Sequence, residues 1–437
     1  MGLAEPAATL LAAAGCALAL AGCGEGAAGD PFAEPVTLVA SGGSHPTAAT
    51  TPAGRVYTAW VGADRNVWLR ASDAGAAVRV NDVPGDAAPH AQAPAQVATG
   101  PDGAVYVVWH NQTPVEGRRF PASDLRFARS GDGGRTFEPA ITVNDDAGGP
   151  PTSHTFQDLL VTRDGTVVVS WIDSRGREGG EAAHPAHPAG GPPPDGQPRE
   201  AGGPPPDGQP PPGHRGPEIR VARSTDGGRS FSASTVVSVD ACPCCRTAMA
   251  AGPDGTVYLA WRHIFRGNVR DIVIARSTDG GIRFDAPRRV HEDGWVYDGC
   301  PHAGPALAVT PEGTVHVAWY TGKEGAAGLF HAASTDGGET FDRPRPIESG
   351  EWVPPSTARL AASGAGDVWL AWEDRRRDDP RVLVARVAAD GGPGPVAASF
   401  DGTAPDMPSD PAGGPVLAYL GGEGDAVLVA SAPRTRP

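Results

Sequence analysis

Four cysteines and several histidines lie in short segments of the chain where their side chains could bind a metal ion. The cysteines form two groups, Cys242-Pro-Cys244-Cys245 and Cys300-Pro-His302. Three further histidines, His45, His90 and His154, lie in comparable segments of other repeats. Thiolates and imidazoles together suit a soft ion such as Cu(I), or Zn. The sequence therefore predicts a copper or zinc site made from these cysteine and histidine side chains.

Three other interpretations of the cysteines are open. In an oxidising compartment they would pair as disulfides. Haem attachment needs a histidine after the second cysteine of a Cys-x-x-Cys pattern, and Arg246 follows Cys245 here. A catalytic cysteine would need a paired base, which a single sequence does not identify. Disulfide bonding and metal binding are therefore the two main alternatives.

Composition narrows the class of protein. The 437 residues include 36 basic and 51 acidic side chains, which gives a formal net charge of -15. This balance argues against nucleic-acid binding, because neutralising phosphates requires a clustered basic surface. The 60 glycines and 46 prolines exclude an all-helical protein. A hydrophobic content of 40% still permits a sizeable core.

A strand-like phrase recurs along the chain, in which a glycine-containing turn precedes alternating β-branched residues and an aromatic residue. The aromatic residues are Trp60, Trp109, Trp171, Trp261, Trp319, Trp372 and, in a weaker copy, Tyr419. Apart from one longer interval, between Trp171 and Trp261, their spacing is close to the size of a four-stranded propeller blade. The long interval contains a Pro-, Gly- and His-rich segment, residues 175–216, which we expect to be a mobile insertion.

A second phrase, Ser-x-Asp-Gly-Gly-x-x-Phe, follows in four repeats. Its copies are Ser130–Phe137, Ser224–Phe231, Ser277–Phe284 and Ser334–Phe341. The Ser and Asp oxygens can accept N–H groups of a tight turn, the glycines tolerate positive φ, and the Phe can anchor the turn in the core. The phrase resembles the Asp-box, or BNR repeat, of sialidase-like propellers. This resemblance spans roughly residues 31–432 and implies an all-β propeller with the phrase between the third and fourth strands of a blade.

The two ends of the propeller region are predicted to complete one blade together. Residues 31–39 match the fourth strand that follows each Asp-box, and residues 414–430 match the first three strands of a repeat. Pairing these segments would close the ring and cover two sheet edges. The count favours seven blades, with six as the alternative. The resemblance itself implies six blades for a catalytic sialidase.

Blade geometry predicts where the metal-binding side chains lie. If the tryptophan phrase is the second strand, the linkers that enter the innermost strands surround the mouth of the central channel on one face. His154, Cys244 and His302 lie at the same distance in sequence before the tryptophan of their own repeats. We therefore expect these linkers to converge at the channel mouth and to bind a metal ion or a small ligand there.

The resemblance also implies a second function, that of a sialidase-type glycoside hydrolase acting on glycans. Such enzymes use three arginines for the substrate carboxylate, a tyrosine nucleophile with a glutamate, and an aspartate acid/base. Residues of these types on the predicted rim include Arg246, Arg262, Arg270, Tyr320 and Asp374. The family's Arg-Ile-Pro phrase is absent, and residues 45–52 contain no arginine. A structural or protein-interaction propeller with bridged cysteines is the third hypothesis.

The N-terminal segment, residues 1–22, resembles the signal peptide of a bacterial lipoprotein. An apolar run ends in Leu20-Ala21-Gly22-Cys23, which is similar to a lipobox. Cleavage before Cys23 would leave a lipid-anchored cysteine and a linker over residues 23–30. We therefore expect an exported protein held at the membrane surface of the cell envelope, with a propeller over residues 31–432 and a tail over residues 433–437.

Overall fold

The computed structural model describes residues 31–118, 120–175, 216–410, 413–422 and 425–432. The predicted signal peptide, the lipidation site at Cys23, most of the insertion and the tail lie outside these ranges. The described residues form β-strands and turns without any helix. Within them there is accordingly no long apolar helix of the kind that crosses a membrane. The predicted all-β class is confirmed.

The first strand of the described residues is β1 (Val36–Val39), and five antiparallel sheets of four strands follow it in sequence. Sheet 1 contains β2 (Gly43–Thr50), β3 (Val56–Gly62), β4 (Val67–Ala71) and β5 (Val78–Arg79). Sheet 2 contains β6 (Gln96–Thr99), β7 (Val105–His110), β8 (Leu125–Ser130) and β9 (Ile141–Thr142). Sheet 3 contains β10 (His154–Val161), β11 (Val167–Asp173), β12 (Glu218–Ser224) and β13 (Thr235–Ser238).

Sheets 4 and 5 repeat this up-and-down order. Sheet 4 contains β14 (Ala248–Ala251), β15 (Val257–Phe265), β16 (Val269–Ser277) and β17 (Arg288–Arg289). Sheet 5 contains β18 (Ala306–Val309), β19 (Val315–Thr321), β20 (Ala327–Ser334) and β21 (Arg345–Gly350). The tryptophan of each repeat therefore lies in the second strand of its sheet, as predicted.

The remaining strands form one sheet of seven. Its members are β22 (Ala358–Ala362), β23 (Val368–Asp374), β24 (Arg381–Val387), β25 (Pro393–Asp406), β26 (Val416–Gly421), β27 (Ala426–Ser431) and β1. The long strand β25 pairs with β24 through its first part and with β26 through its last part. At the far edge, β1 pairs antiparallel with β27, with Val36 opposite Val429.

The core lies between neighbouring sheets. One cluster packs Ile219 of β12 against Trp261 of β15, and so joins sheets 3 and 4. Similar clusters join the other neighbouring sheets, because alternate residues of each strand face opposite sides. The innermost strands β2, β6, β10, β14, β18 and β22 contact one another in chain order. This arrangement is consistent with a β-propeller and brings the segments that enter these strands to one end of the molecule.

The repeated serine-aspartate phrase forms the predicted turn between the third and fourth strands. In sheet 3, Ser224 Oγ donates to Asp226 (2.7 Å) and accepts the N–H of Gly228 (2.9 Å). Asp226 Oδ1 accepts the N–H groups of Arg229 and Ser230 at 2.9 and 3.0 Å. Both glycines of the turn have positive φ, 74° and 81°. The same bonds recur in the turns that begin at Ser130, Ser277 and Ser334.

Candidate metal centre

The loop between β13 and β14 carries the first cysteine segment and is held against the end of β15. The main-chain N–H of Cys242 donates to the carbonyl oxygen of Arg262 at 2.9 Å. The N–H of Ile264 donates to the carbonyl oxygen of Asp240 at 2.8 Å. All three cysteines of the segment are buried, with at most 4% of their surface exposed. A strand end therefore fixes the backbone of a loop whose thiols face inward.

The sulfur atoms of this segment lie close together. Cys242 Sγ is 3.0 Å from Cys245 Sγ and 3.7 Å from Cys244 Sγ. All three sulfurs lie within 4.8 Å of one another. Among the described residues no disulfide joins any of the four cysteines. This cysteine cluster could bind a metal ion, because three thiolates at such distances can reach one ion.

The linker that enters β18 brings a second segment to the same place. The sulfurs of Cys244 and Cys300 and a ring nitrogen of His302 form another group of donors within 4.8 Å of one another. His302 has a φ of 50°, a left-handed conformation that non-glycine residues seldom adopt and that often marks functional sites. Cys244 thus belongs to two donor groups that come from adjacent sheets.

Two buried arginines lie beside the cluster. Arg270 is 3% exposed, and its guanidinium donates to Cys242 Sγ at 3.3 Å and to the carbonyl oxygen of Tyr297 at 2.7 Å. Arg262 is completely buried, and it donates to the carbonyl oxygens of Ala303, Arg270 and Tyr320. No ion pair between either guanidinium and a carboxylate occurs within the part of the chain that the structure describes. A buried cation needs a counter-charge, and the Cys242 sulfur that Arg270 contacts can supply it when ionised.

The thiols of the cluster differ in acidity. Burial opposes ionisation of Cys242, but hydrogen bonds from Cys244 and Cys245 and the positive charge of Arg270 outweigh it, so its pKa lies well below the usual value. Hydrogen bonding to Cys242 raises the pKa of Cys244, and burial above all raises that of Cys245. Cys242 is therefore the thiol of the cluster that ionises most readily. Binding of a metal ion by the cluster would require all three thiols to lose their protons.

The histidines near this end of the molecule are neutral. Burial is the main reason that the pKa values of His45 and His90 fall to about 4, and it also lowers the pKa of His302. Repulsion between the protonated forms of the histidines adds to the effect, from His90 on His45 and from His302 on His90. These three imidazoles therefore lie near one another, although they come from three different linkers. The neutral imidazole is the form that binds metal ions.

His154 does not join this group, although it shares the register of Cys244 and His302. Its Nδ1 lies 2.6 Å from the carbonyl oxygen of Ser123, and its Nε2 lies 3.1 Å from Asp146 and 3.4 Å from Asp173. The strand β10 already begins at His154, which pairs with Asp173 of β11. Cys244 and His302 instead precede the first residues of β14 and β18 and remain in loops. The same distance in sequence from the tryptophan therefore places His154 in a strand, but Cys244 and His302 in loops.

The arginines and the tyrosine proposed for glycan chemistry form mainly main-chain contacts. Arg246 is 5% exposed and donates to the carbonyl oxygen of Ala358 at 3.5 Å. Arg262 donates only to main-chain oxygens. The hydroxyl of Tyr320 donates to the carbonyl oxygen of Val353 at 2.8 Å, and burial raises the pKa of Tyr320 to about 12. These contacts link main-chain segments that belong to different strands and linkers.

Asp374, proposed as an acid/base, lies at the end of β23. Two nitrogens of the Arg376 guanidinium donate to its two carboxylate oxygens, both at 2.8 Å. These bonds lower the pKa of Asp374, which keeps the carboxylate ionised. A general acid needs the opposite shift, because it must hold a proton near neutral pH.

Three charged residues in strands β10, β22 and β25 were not predicted. Arg359 Nε donates to Asp406 Oδ1 at 2.7 Å, and Asp158 Oδ2 accepts the N–H of Met249 at 2.6 Å. Burial is the main reason that the pKa of Asp158 rises to about 7, and the charge of Asp406 adds to it. Asp158, Arg359 and Asp406 lie at the same distance in sequence before the aromatic residue of their own repeats. This shared distance was the signal in the sequence that could have revealed the three residues.

Comparisons with known proteins bear on the fold. No protein-family model matches the chain, and no curated protein matches its sequence. The PL25 ulvan lyase, a polysaccharide lyase, is 10% identical, with a TM-score of 0.54 over 90% of this chain and 95% of that chain. The Hadza microbial sialidase Hz136 is 17% identical, with a TM-score of 0.49 over 84% and 73% of the two chains. At such an identity the lyase comparison shows a likeness of fold alone, in keeping with the β-propeller architecture.

Proposed function

We propose that the protein binds a soft metal ion, Cu(I) or Zn, at the mouth of its central channel. The ligands are Cys242, Cys244 and Cys245, with Cys300 and His302 from the next sheet. The observation that carries the proposal is the pair of overlapping donor groups beside a buried guanidinium. Soft thiolate ligands select such ions over hard cations.

Electrostatics supports this function. Each thiolate that binds a metal ion adds negative charge in the interior, where an uncompensated charge is costly. Arg270 contacts Cys242 directly, and Arg262 acts on both Cys242 and Cys245. The two guanidiniums would therefore balance a metal–thiolate complex that carries net negative charge. A cluster of neutral thiols or disulfides would leave them without that balance.

The sulfur geometry is close to what a metal ion requires. Zinc–sulfur bonds of about 2.3 Å in a tetrahedron place two ligand sulfurs about 3.8 Å apart. Cys242 and Cys244 are 3.7 Å apart, and Cys242 and Cys245 are 3.0 Å apart. Of these two pairs, the second would have to open by roughly 1 Å at most when an ion binds. The loop therefore needs a small adjustment to form the complex.

A seven-bladed ring is the architecture that we propose around this channel. The seven-stranded sheet then counts as two blades, which share β25 and end with β1. Trp60 of sheet 1 packs against Leu420 of β26 and Val427 of β27, so the first and last blades share a core cluster.

One repeated hydrogen bond supports closure of this ring. Asp158 of sheet 3 accepts the N–H of Met249 in sheet 4, and Asp406 of β25 accepts the N–H of Ala48 in sheet 1. The two aspartates occupy equivalent positions relative to the aromatic residues of their repeats, and so do the two N–H groups. The joint between the last and first blades thus uses the same contact as a joint within the chain.

We further propose that the chain is exported and anchored through a lipid on Cys23, as its lipobox-like segment indicates. The metal site would then face the exterior of the membrane. Incorporation of a labelled fatty acid tests this anchor. Labelling should be lost in Cys23→Ala, and equal labelling of that variant would refute lipidation at this residue.

The function is tested by measuring metal content and thiol oxidation together. The protein is purified without chelator from cultures supplied with copper or zinc, and its metals and its thiols under denaturing, non-reducing conditions are counted. We expect stoichiometric metal whose amount falls in Cys245→Ser and is unchanged in His291→Ala, a control with a half-exposed imidazole elsewhere. Fully bridged cysteines without metal would refute the proposal and favour a structural or protein-interaction propeller. Hydrolysis of a fluorogenic sialoside would instead favour the glycoside hydrolase.

A further inference from the structure

The five donor side chains of the centre form two groups of three that overlap in one residue. Cys242, Cys244 and Cys245 form the inner triad, in which every residue is buried. Cys244, Cys300 and His302 form the outer triad, in which Cys300 is half-buried and His302 is exposed. Two ligands of one ion can be no farther apart than about 4.6 Å, twice a metal–sulfur bond of about 2.3 Å. Each triad approximately meets this limit, and the two triads do not merge into one group of five.

We propose that the centre holds two Cu(I) ions and that the Cys244 thiolate bridges them. This inference rests on the proposed function and deepens it by assigning the metal and the stoichiometry. Two three-coordinate ions that share one ligand need five donors, which is the number present. Cu(I) accepts three ligands, and soft thiolates favour it. Two tetrahedral zinc ions that share one ligand would need seven donors.

The net charge of the metal–thiolate cluster also favours Cu(I). Four thiolates, a neutral imidazole and two Cu(I) ions carry a net charge of minus two. The guanidiniums of Arg262 and Arg270 supply the opposite charge beside the cluster. Two zinc ions with the same ligands would be neutral and would leave both buried guanidiniums uncompensated. The copper cluster is therefore the one that the surrounding charges fit.

The exposure of the two triads also suggests a route by which copper enters. His302 and Cys300 connect the surface to Cys244, and Cys244 connects them to the buried pair of Cys242 and Cys245. An ion bound in the outer triad can therefore reach the inner triad by exchange of ligands at Cys244. Loss of the outer triad would then slow the filling of the inner one.

The test is an anaerobic titration of the reduced full chain with Cu(I), in competition with a colorimetric Cu(I) chelator. We expect two ions per chain in the wild type and in His291→Ala. One ion should remain in Cys300→Ser and in His302→Ala, because only the outer triad is lost. Cys244→Ser should lose both ions. X-ray absorption of the wild type loaded with copper should show copper–copper scattering at short range.

The outcomes separate this inference from the proposed function. A single ion that is unaffected by Cys300→Ser and His302→Ala would refute the dinuclear cluster and leave the metal site of the inner triad intact. Two ions without copper–copper scattering would refute the bridge, even if Cys244→Ser failed to fold. Absence of any Cu(I) or Zn binding by fully reduced protein would refute both.

Discussion

The two ends of the blades differ in how far they repeat one another. At the end that carries the serine-aspartate turns, four blades use the same hydrogen bonds, and Asp226 and Asp336 accept equivalent N–H groups. At the opposite end, Cys244, His302 and His154 share a register but have different partners. Repetition indicates a structural requirement that every blade must meet. Divergence on a repeated scaffold indicates a function that only some blades perform.

A carboxylate of the turns and a carboxylate within an innermost strand also have pKa values shifted in opposite directions. Hydrogen bonds from Ser230 and Ser224 hold the pKa of Asp226 well below its usual value. Burial instead raises the pKa of Asp158, in the innermost strand β10, to about 7. The turn carboxylate is therefore stabilised as an anion by its own loop. The channel carboxylate is destabilised as an anion by its position among other blades.

Removal of residues 411–437 should have the largest effect, because it eliminates β26 and β27 while leaving every serine-aspartate turn intact. β1 and the last part of β25 would lose their partners and expose sheet edges. We expect aggregation or loss of cooperative melting, measured by calorimetry and size-exclusion chromatography. If the truncated chain melted like the full one, the turn end alone would suffice for the fold and the proposed closure would be wrong.

Asp158→Asn should change the pH dependence of stability. The folded protein retains a proton on Asp158 up to about pH 7, whereas the unfolded chain releases it near pH 4. The free energy of unfolding should therefore fall as pH rises through this window, by at most about 4 kcal/mol. Urea unfolding at pH 5 and pH 8 measures the change in unfolding free energy between the two pH values. The variant should lose the part of this change that Asp158 contributes. Asp401→Asn, whose side chain is 84% exposed, serves as the control. Equal slopes in wild type and Asp158→Asn would contradict the raised pKa.

Asp226→Ala should have a smaller effect on the free energy of unfolding. The contribution of Asp226 to stability should depend on pH in the opposite sense to that of Asp158. The variant loses an acceptor of two main-chain N–H groups, which we expect to cost about 1 to 2 kcal/mol of unfolding free energy at pH 7. Since the folded pKa is lowered, this stabilisation is present above the unfolded pKa and is lost as pH falls below about 4. Chemical unfolding at pH 7 and pH 3 measures the change. Metal content should be unchanged, and its loss would remove the distinction between the two ends.

The sequence predicted the turn end in detail because its contacts are local. Ser224, Asp226 and the glycines between the strands interact within a single short phrase, so the phrase itself encodes the bonds. The second strand with its tryptophan was predictable for the same reason, since its alternation is read directly from the chain.

The channel end was predictable only in part. Counting from the tryptophan brought Cys244 and His302 to one place, but it could not show that β10 starts at His154 and holds it beside Asp173. Nor did it identify Asp158, whose burial depends on residues of other blades. Local spacing gives the register of a side chain along its blade. Its partners depend on neighbouring blades that are distant in sequence.

Anomalous diffraction from crystals grown without chelator, measured on both sides of the copper and zinc absorption edges, tests the metal centre most directly. We expect an anomalous peak about 2.3 Å from the sulfurs of Cys242, Cys244 and Cys245, and the absorption edge at which it appears should identify the ion. A map without such a peak, in which Cys242 and Cys245 are joined by a disulfide, would contradict it.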